Sequence, residues 1–231
     1  ESFSRLLLET IFQKKFRDFQ VIPQKVYYGK DTSLHGTRLD VYLEAALEDE
    51  LSGQTAVYDM EPNRKKEPLR ELYRRNRLYH ALIDADCLKS GENYLSLKNV
   101  FVIFILSNDP FGAGRMVYTV RTMCVEEPDL PYYDGAQTMF LYTGGTKGSP
   151  PKALVQMLRY MEHSIEKYAV NETLKQIHHI VEMVKQNKEV ELSYMKSWEW
   201  EEEIRKEAME SGLAEGREKG LKEGLKEGLR E

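Results

Sequence analysis

The chain predicts an α/β domain, and three observations predict it: helix, strand, strand, strand, helix, strand run in that order through the first half, residues 37–44 alternate strictly, and 100–106 is a continuous apolar run. The composition agrees. Of 231 residues, 41% are hydrophobic and 10% aromatic, enough to build a core and too many for a disordered chain.

Phe3, Leu6, Leu7, Ile11 and Phe12 recur at helical spacing, so residues 2–18 are expected as an amphipathic helix with Glu9 on its flank. Residues 21–28 are expected extended, and 29–36 are rich in turn formers. In 37–44, Arg38, Asp40, Tyr42 and Glu44 alternate with Leu39, Val41 and Leu43, the pattern of a strand with one polar and one apolar face. A loop at 48–53 leads into a strand at 55–61. Pro62 has no N–H, so it is expected to end the pairing or to lie on an edge or bulge.

Residues 68–88 are expected helical, packing through Leu72, Leu78, Leu82 and Ile83. The run at 99–106 has the character of a strand buried on both faces. Strands at 116–125 and 138–142 follow, joined by loops holding Pro110, Gly112, Gly114, Pro128 and Pro131. From 151 onward the pattern is helical, which divides the chain into a domain at 1–150 and a helical extension at 151–231. The extension ends in a Gly-Leu-Lys-Glu repeat, with Gly212, Gly216, Gly220, Gly224 and Gly228 four apart. A period of four advances about 40° per repeat around a helix. The Leu row therefore drifts rather than forming a heptad seam, and the helices offer a route to a homo-oligomer.

The net charge of −5 is unevenly spread. Residues 189–231 hold thirteen acids against eight bases, leaving 1–188 neutral. Within that neutral part, 64–77 carries seven bases and two acids. Lys66, Arg70, Arg74 and Arg77 fall three or four apart, on one helix face, where they can meet a phosphate backbone. Cys87 and Cys124 are too few for a disulfide framework and are expected as buried reduced thiols. No apolar stretch spans a bilayer and no signal pattern opens the chain, so a soluble cytoplasmic protein without a membrane partner is expected. The chain opens at Glu1 without Met, inside a helical segment, and reads as a piece of a longer protein.

The chemistry-bearing group is Asp40, Glu61 and Asn63. Side chains alternate along a strand, so Asp59, Glu61 and Asn63 share one face, and a hairpin would bring Asp40 and Glu61 together at one end. Two carboxylates there repel unless a cation intervenes, and hard oxygen ligands suit Mg²⁺. The alternative is a pair of solvated strand carboxylates. His80 and Asp84, four apart on a helix, are expected as a structural pair.

Four segments carry a family resemblance: Gly36-Thr-Arg-Leu-Asp40-Val-Tyr, Val57-Tyr-Asp-Met-Glu61-Pro-Asn63, Arg77-Leu-Tyr-His80-Ala-Leu-Ile-Asp84 and Asn108-Asp109-Pro-Phe-Gly112. In order and spacing they resemble the Rpn family of recombination-promoting nucleases, also described as transposases, in the PD-(D/E)XK nuclease superfamily. The resemblance covers about residues 5–165. It implies a restriction-endonuclease-like mixed sheet flanked by helices, and a Mg²⁺-dependent DNA endonuclease, with Mn²⁺ as a substitute, serving recombination or transposition. By the family pattern Asp40, Glu61 and the Pro62 carbonyl would hold the metal, with Glu9 as an accessory acid. Asn63 takes the superfamily's lysine position, where this family more often shows Gln. A neutral amide orients water but does not deprotonate it. The alternative is therefore a nuclease-fold DNA-binding or assembly module that does not cut.

Overall fold

The computed structural model describes residues 2–23, 25–27, 37–48, 55–63 and 68–186. The chain divides into two units, Glu1–His178 and His179–Glu231. The first contains helix α1 (Ser2–Phe12), strands β1 (Phe16–Pro23), β2 (Val26–Tyr27), β3 (Thr37–Arg38), β4 (Val41–Leu47) and β5 (Ala56–Asn63), and helix α2 (Leu69–Cys87). It continues with β6 (Val100–Leu106), β7 (Val117–Val120), β8 (Ala136–Tyr142), helix α3 (Lys152–His163) and the start of α4 (Glu172–Gln186). Of the second unit, 179–186 are described, as the end of α4. The repeat tail and Trp-containing segment lie outside the described residues, as does the proposed oligomer contact through them.

The fold is α/β with a mixed six-stranded sheet, ordered β1-β4-β5-β6-β8-β7, while β2 and β3 form a separate two-stranded ribbon. β5, β6 and β8 run parallel, and β1, β4 and β7 pair antiparallel to their neighbours. Parallel neighbours cannot be joined by a tight turn, so α2 supplies the crossover from β5 to β6. Even-numbered residues of β6 face α2: Val102 and Phe104 pack with Leu72, Tyr79 and Ile83, and Phe104 stacks on Phe140 at 5.2 Å. Phe101 faces the other way, stacked on Tyr58 at 5.0 Å with Phe12 of α1 edge-on to both.

Covering both faces changes the reading of 37–44. A strand with one solvated face was expected, yet Tyr42 and Leu43 are both 0% exposed, because α2 closes the face that carries Tyr42. The strand is also broken at Asp40, since Leu39 donates its N–H to the Lys25 carbonyl and joins the small ribbon. In α2 the buried residues are Leu72, Tyr79 and Ile83, with Tyr79 in the place expected for Leu78 and Leu82, which are half-buried. The strand expected at 116–125 is Val117–Val120, whose pairing with β8 ends at Val120 opposite Thr138 although β8 itself begins at Ala136. Cys87 and Cys124 are free and half-buried rather than fully buried.

Pro62 does not end β5. The Val57 N–H donates to Asn99 and the Asn63 carbonyl accepts from Ser107, so odd residues of β5 turn their backbone groups toward the β6 side. By alternation Pro62 turns toward β4, whose pairing has already ended at Val41 opposite Met60. The missing N–H removes no ladder bond.

Gly145 marks a close approach. A Cβ built there would lie 2.7 Å from the Met116 Cα, backbone against backbone. Gly145→Ala is expected to destabilise the fold by about 1–3 kcal/mol, read as a lowered melting temperature with the far-ultraviolet dichroism of the native state unchanged.

Candidate functional site

The register of β4 on β5 makes Asp40 and Glu61 direct neighbours. Val41 pairs with Met60, so the next opposed positions are 40 and 61, just past the end of the ladder. Opposed residues of an antiparallel pair project to the same face. The backbone of Asp40, which has no strand carbonyl to bond at this position, donates its N–H to Glu61 Oε1 at 2.9 Å. The two carboxylates converge as the alternation predicts.

Their environments differ sharply. Asp40 is exposed, whereas Glu61 is 4% exposed and Asp59, one step deeper on the same face, is 0% exposed. Both oxygens of Asp59 are buried and meet no hydrogen-bond donor among the described residues. Its neighbour is the Glu61 carboxyl, and two carboxyls bond each other only when one carries a proton. Burial, first, and then the Glu61 and Asp40 charges push the Asp59 carboxyl far above the ordinary carboxylate range, against the opposing pull of Arg75. Glu61 is raised as well, chiefly by burial; the Asp40 N–H and Arg75 oppose this. The two carboxyls lie next to each other and are both raised, so they titrate as a coupled pair.

Arg75 is the counter-charge. It lies on the inward face of α2 between Leu72 and Tyr79, half-buried, with its guanidinium 5.7 Å from the Tyr79 ring centre and 5.5 Å from that of Phe104. Aromatic faces stabilise a cation that has lost much of its water. Arg70, Arg74 and Arg77 are exposed on the outer side of the same helix, within an arc of about 60°. Lys66 lies outside the described residues.

Asn63 is half-buried at the end of β5, beside the 107–115 loop. Asp109 organises this loop, accepting from the Phe111 and Gly114 N–H groups and from the Tyr118 hydroxyl, and Phe111 stacks on Tyr73 of α2 at 5.7 Å. Glu9 is not brought to the pair by any described contact. It is held by Lys15, on a helix that covers the opposite face of the sheet through Phe12. His80 departs from its expected partner too: Nε2 bonds Thr138 Oγ1 at 2.9 Å, Thr138 bonds Asn76, Nδ1 is buried and meets no partner among the described residues, and burial lowers the ring's proton affinity.

Asp59 and Arg75 are the members that sequence reasoning did not single out. The period-two alternation already placed Asp59 beside Glu61. For Arg75, the signal is its position three residues after Leu72 and four before Tyr79.

Among the described residues no group of three or more His, Cys, Asp or Glu side chains has the geometry to hold a metal. Asp40 and Glu61 carry hard oxygen donors, and alternation turns the Pro62 carbonyl toward the β4 side, opposite Leu39, whose N–H is spent on Lys25. Two carboxylates and a carbonyl satisfy what the protein usually contributes to Mg²⁺, the rest being water and substrate oxygens. No helix among the described residues is long and apolar enough to cross a membrane. Comparison of the chain with known protein families, curated proteins and solved structures gives no match.

Asp59 binds a proton in the folded state that it would release when unfolded at neutral pH. Stability is therefore full below the ordinary carboxylate range and declines as pH rises toward the folded-state value. Asp59→Asn keeps the shape without the charge. It should raise stability more at pH 8.5 than at pH 5, by roughly 1–3 kcal/mol, as read from thermal melts at the two pH values.

Proposed function

We propose that the chain is a Mg²⁺-dependent DNA endonuclease of the restriction-endonuclease-like fold, with the resemblance to the Rpn family as its closest description. The observation that carries this reading is the apposition of Asp40 and Glu61 at the end of the β4–β5 ladder, beside a helix whose outer face exposes Arg70, Arg74 and Arg77. With the separate β2–β3 ribbon set aside, the order α1, β1, β4, β5, α2, β6 matches the one that the resemblance implies.

In this reading Asp40, Glu61 and the Pro62 carbonyl hold the metal. A Mg²⁺ held there would polarise a phosphodiester and lower the pKa of a bound water, the two contributions hydrolysis needs. The chain's own groups do the rest. Arg70, Arg74 and Arg77 neutralise backbone phosphates and hold the duplex against α2. Asn63 orients water by hydrogen bonding. Asp59 and Arg75 bear on the charge of Glu61: burial beside Asp59 favours its protonated form, and Arg75 and the Asp40 N–H favour the anion that a metal would need. Glu9, paired with Lys15, is left out of the set.

A second reading has its own observation. Glu61 is almost wholly buried and already accepts the Asp40 N–H, and Asn63 supplies no base. That arrangement fits a nuclease-fold module that binds DNA without cutting it.

Plasmid nicking separates the two. The endonuclease nicks supercoiled DNA with Mg²⁺ or Mn²⁺ and not with excess chelator, and Asp40→Ala lowers the rate about 100-fold or more, equivalent to roughly 3 kcal/mol or more of lost transition-state stabilisation. Salt-dependent binding with no nicking under either metal identifies the module instead. In both readings, Arg70→Ala, Arg74→Ala and Arg77→Ala should each lower the slope of log K against log salt by about 0.9, measured by fluorescence anisotropy at several salt concentrations. Unchanged slopes would remove the helix from the DNA interface.

A further inference from the structure

Two aromatic rings meet water at the end of the sheet that carries the carboxylates. Tyr73, near the start of α2, and Phe111, in the loop after β6, are each 39% exposed, and their rings stack on each other. Their place is fixed from several sides. Phe111 packs edge-on against Phe140 at 5.3 Å and tilted against Tyr118 at 4.7 Å, while the Tyr73 hydroxyl donates to the Pro110 carbonyl. Asp109 accepts from both the Phe111 N–H and the Tyr118 hydroxyl, which ties the loop to its own strand. An aromatic pair held rigid and left partly in water presents a flat apolar surface at little conformational cost to anything that stacks on it.

The surrounding charge says what stacks there. Arg70 and Arg77, three before and four after Tyr73, are exposed and stand about 60° and 40° round α2 from it, whereas Glu71 lies about 160° away. On the loop side, Arg115 and Lys147 are exposed where their backbones bridge. Phe140, Phe104 and Glu61 are opposed across β8, β6 and β5, so the ring resting on Phe140 stands roughly two strand spacings, about 10 Å, from Glu61. That distance is a few stacked nucleotides at about 3.4 Å each. Cations bordering a flat apolar surface match a strand that offers phosphates and a bare base face together. Within a duplex each base is already stacked on its neighbours, so the free face has to come from an unpaired base.

We propose that Tyr73 and Phe111 form a platform on which an unpaired base of a DNA strand stacks, so that the site takes DNA with a single-stranded stretch. This inference rests on the DNA reading of the site, and it holds whether or not the strand is cut.

Binding of the full chain to a labelled oligo(dT) strand and to a blunt duplex of the same length, followed by fluorescence anisotropy at several salt concentrations, tests it. Phe111→Leu keeps apolar bulk and removes the ring. It should weaken binding of the single strand by roughly tenfold or more and of the duplex by less than about twofold. The slope of log K against log salt should stay as in wild type, because no phosphate contact is lost. Phe111→Trp keeps a stacking face and supplies a second measurement: its added indole emission, taken over that of the wild-type chain, should be quenched by oligo(dT) and not by the duplex. A wild-type chain that binds neither DNA overturns the DNA reading and the platform with it. If wild type binds DNA with a slope that Arg70→Ala or Arg77→Ala lowers, the DNA reading stands, and the platform alone is overturned by any of three results: Phe111→Leu binding oligo(dT) as wild type does, an equal loss on both DNAs, or a Phe111→Trp emission that oligo(dT) leaves unchanged.

Discussion

Placing carboxylates beneath a helix is the constraint on which the rest of this structure depends. Glu61 sits on the central strand β5, flanked by β4 and β6 and covered by α2, and Asp59 lies one pleat deeper with no donor to meet it among the described residues. An isolated buried carboxylate is costly. It is tolerated here through the Asp40 N–H on Glu61 and the Arg75 guanidinium laid over Tyr79 and Phe104, while burial shifts both Asp59 and Glu61 toward their protonated forms. Each depends on a different element, so the site exists only when β4, β5 and α2 are assembled together.

The backbone at that point follows the same logic. The β4–β5 ladder stops at Val41 and Met60 because Leu39 turns its N–H to Lys25. This break frees the Asp40 N–H for a side chain and accommodates Pro62 without a missing ladder bond. It also leaves Asp40 at the surface while its neighbour Glu61 is buried. One exposed and one buried carboxylate, side by side, make a gradient of solvation across a short distance. Such a gradient separates the proton affinities of otherwise similar groups.

The two long faces of α2 serve different ends. Inward, Leu72, Arg75, Asn76, Tyr79, His80 and Ile83 meet the sheet and supply both packing and polar contacts, as in the His80–Thr138–Asn76 chain. Outward, Arg70, Arg74 and Arg77 remain in water. A helix carrying so many arginines can cover a core only because Arg75 alone turns inward among those described, where aromatic rings and carboxylates receive it.

By itself the sequence determined the order of the sheet strands and helices through β6, though not the β2–β3 ribbon, together with the shared face of Asp59, Glu61 and Asn63, the apposition of Asp40 with Glu61, and the exposed arginine row on α2. These follow from periods of two and 3.6 residues, which are properties of the local backbone. Only the tertiary structure decided that Tyr42 is buried, that β7 ends at Val120, that Pro62 lies within a strand, that Arg75 rather than a neighbouring arginine meets the carboxylates, that Glu9 pairs with Lys15, and that His80 bonds Thr138 rather than Asp84. Those outcomes depend on which distant segment covers a face or stands opposite a strand. Periodicity states which side a residue is on, and the partner brought to that side by long-range pairing states what it does there.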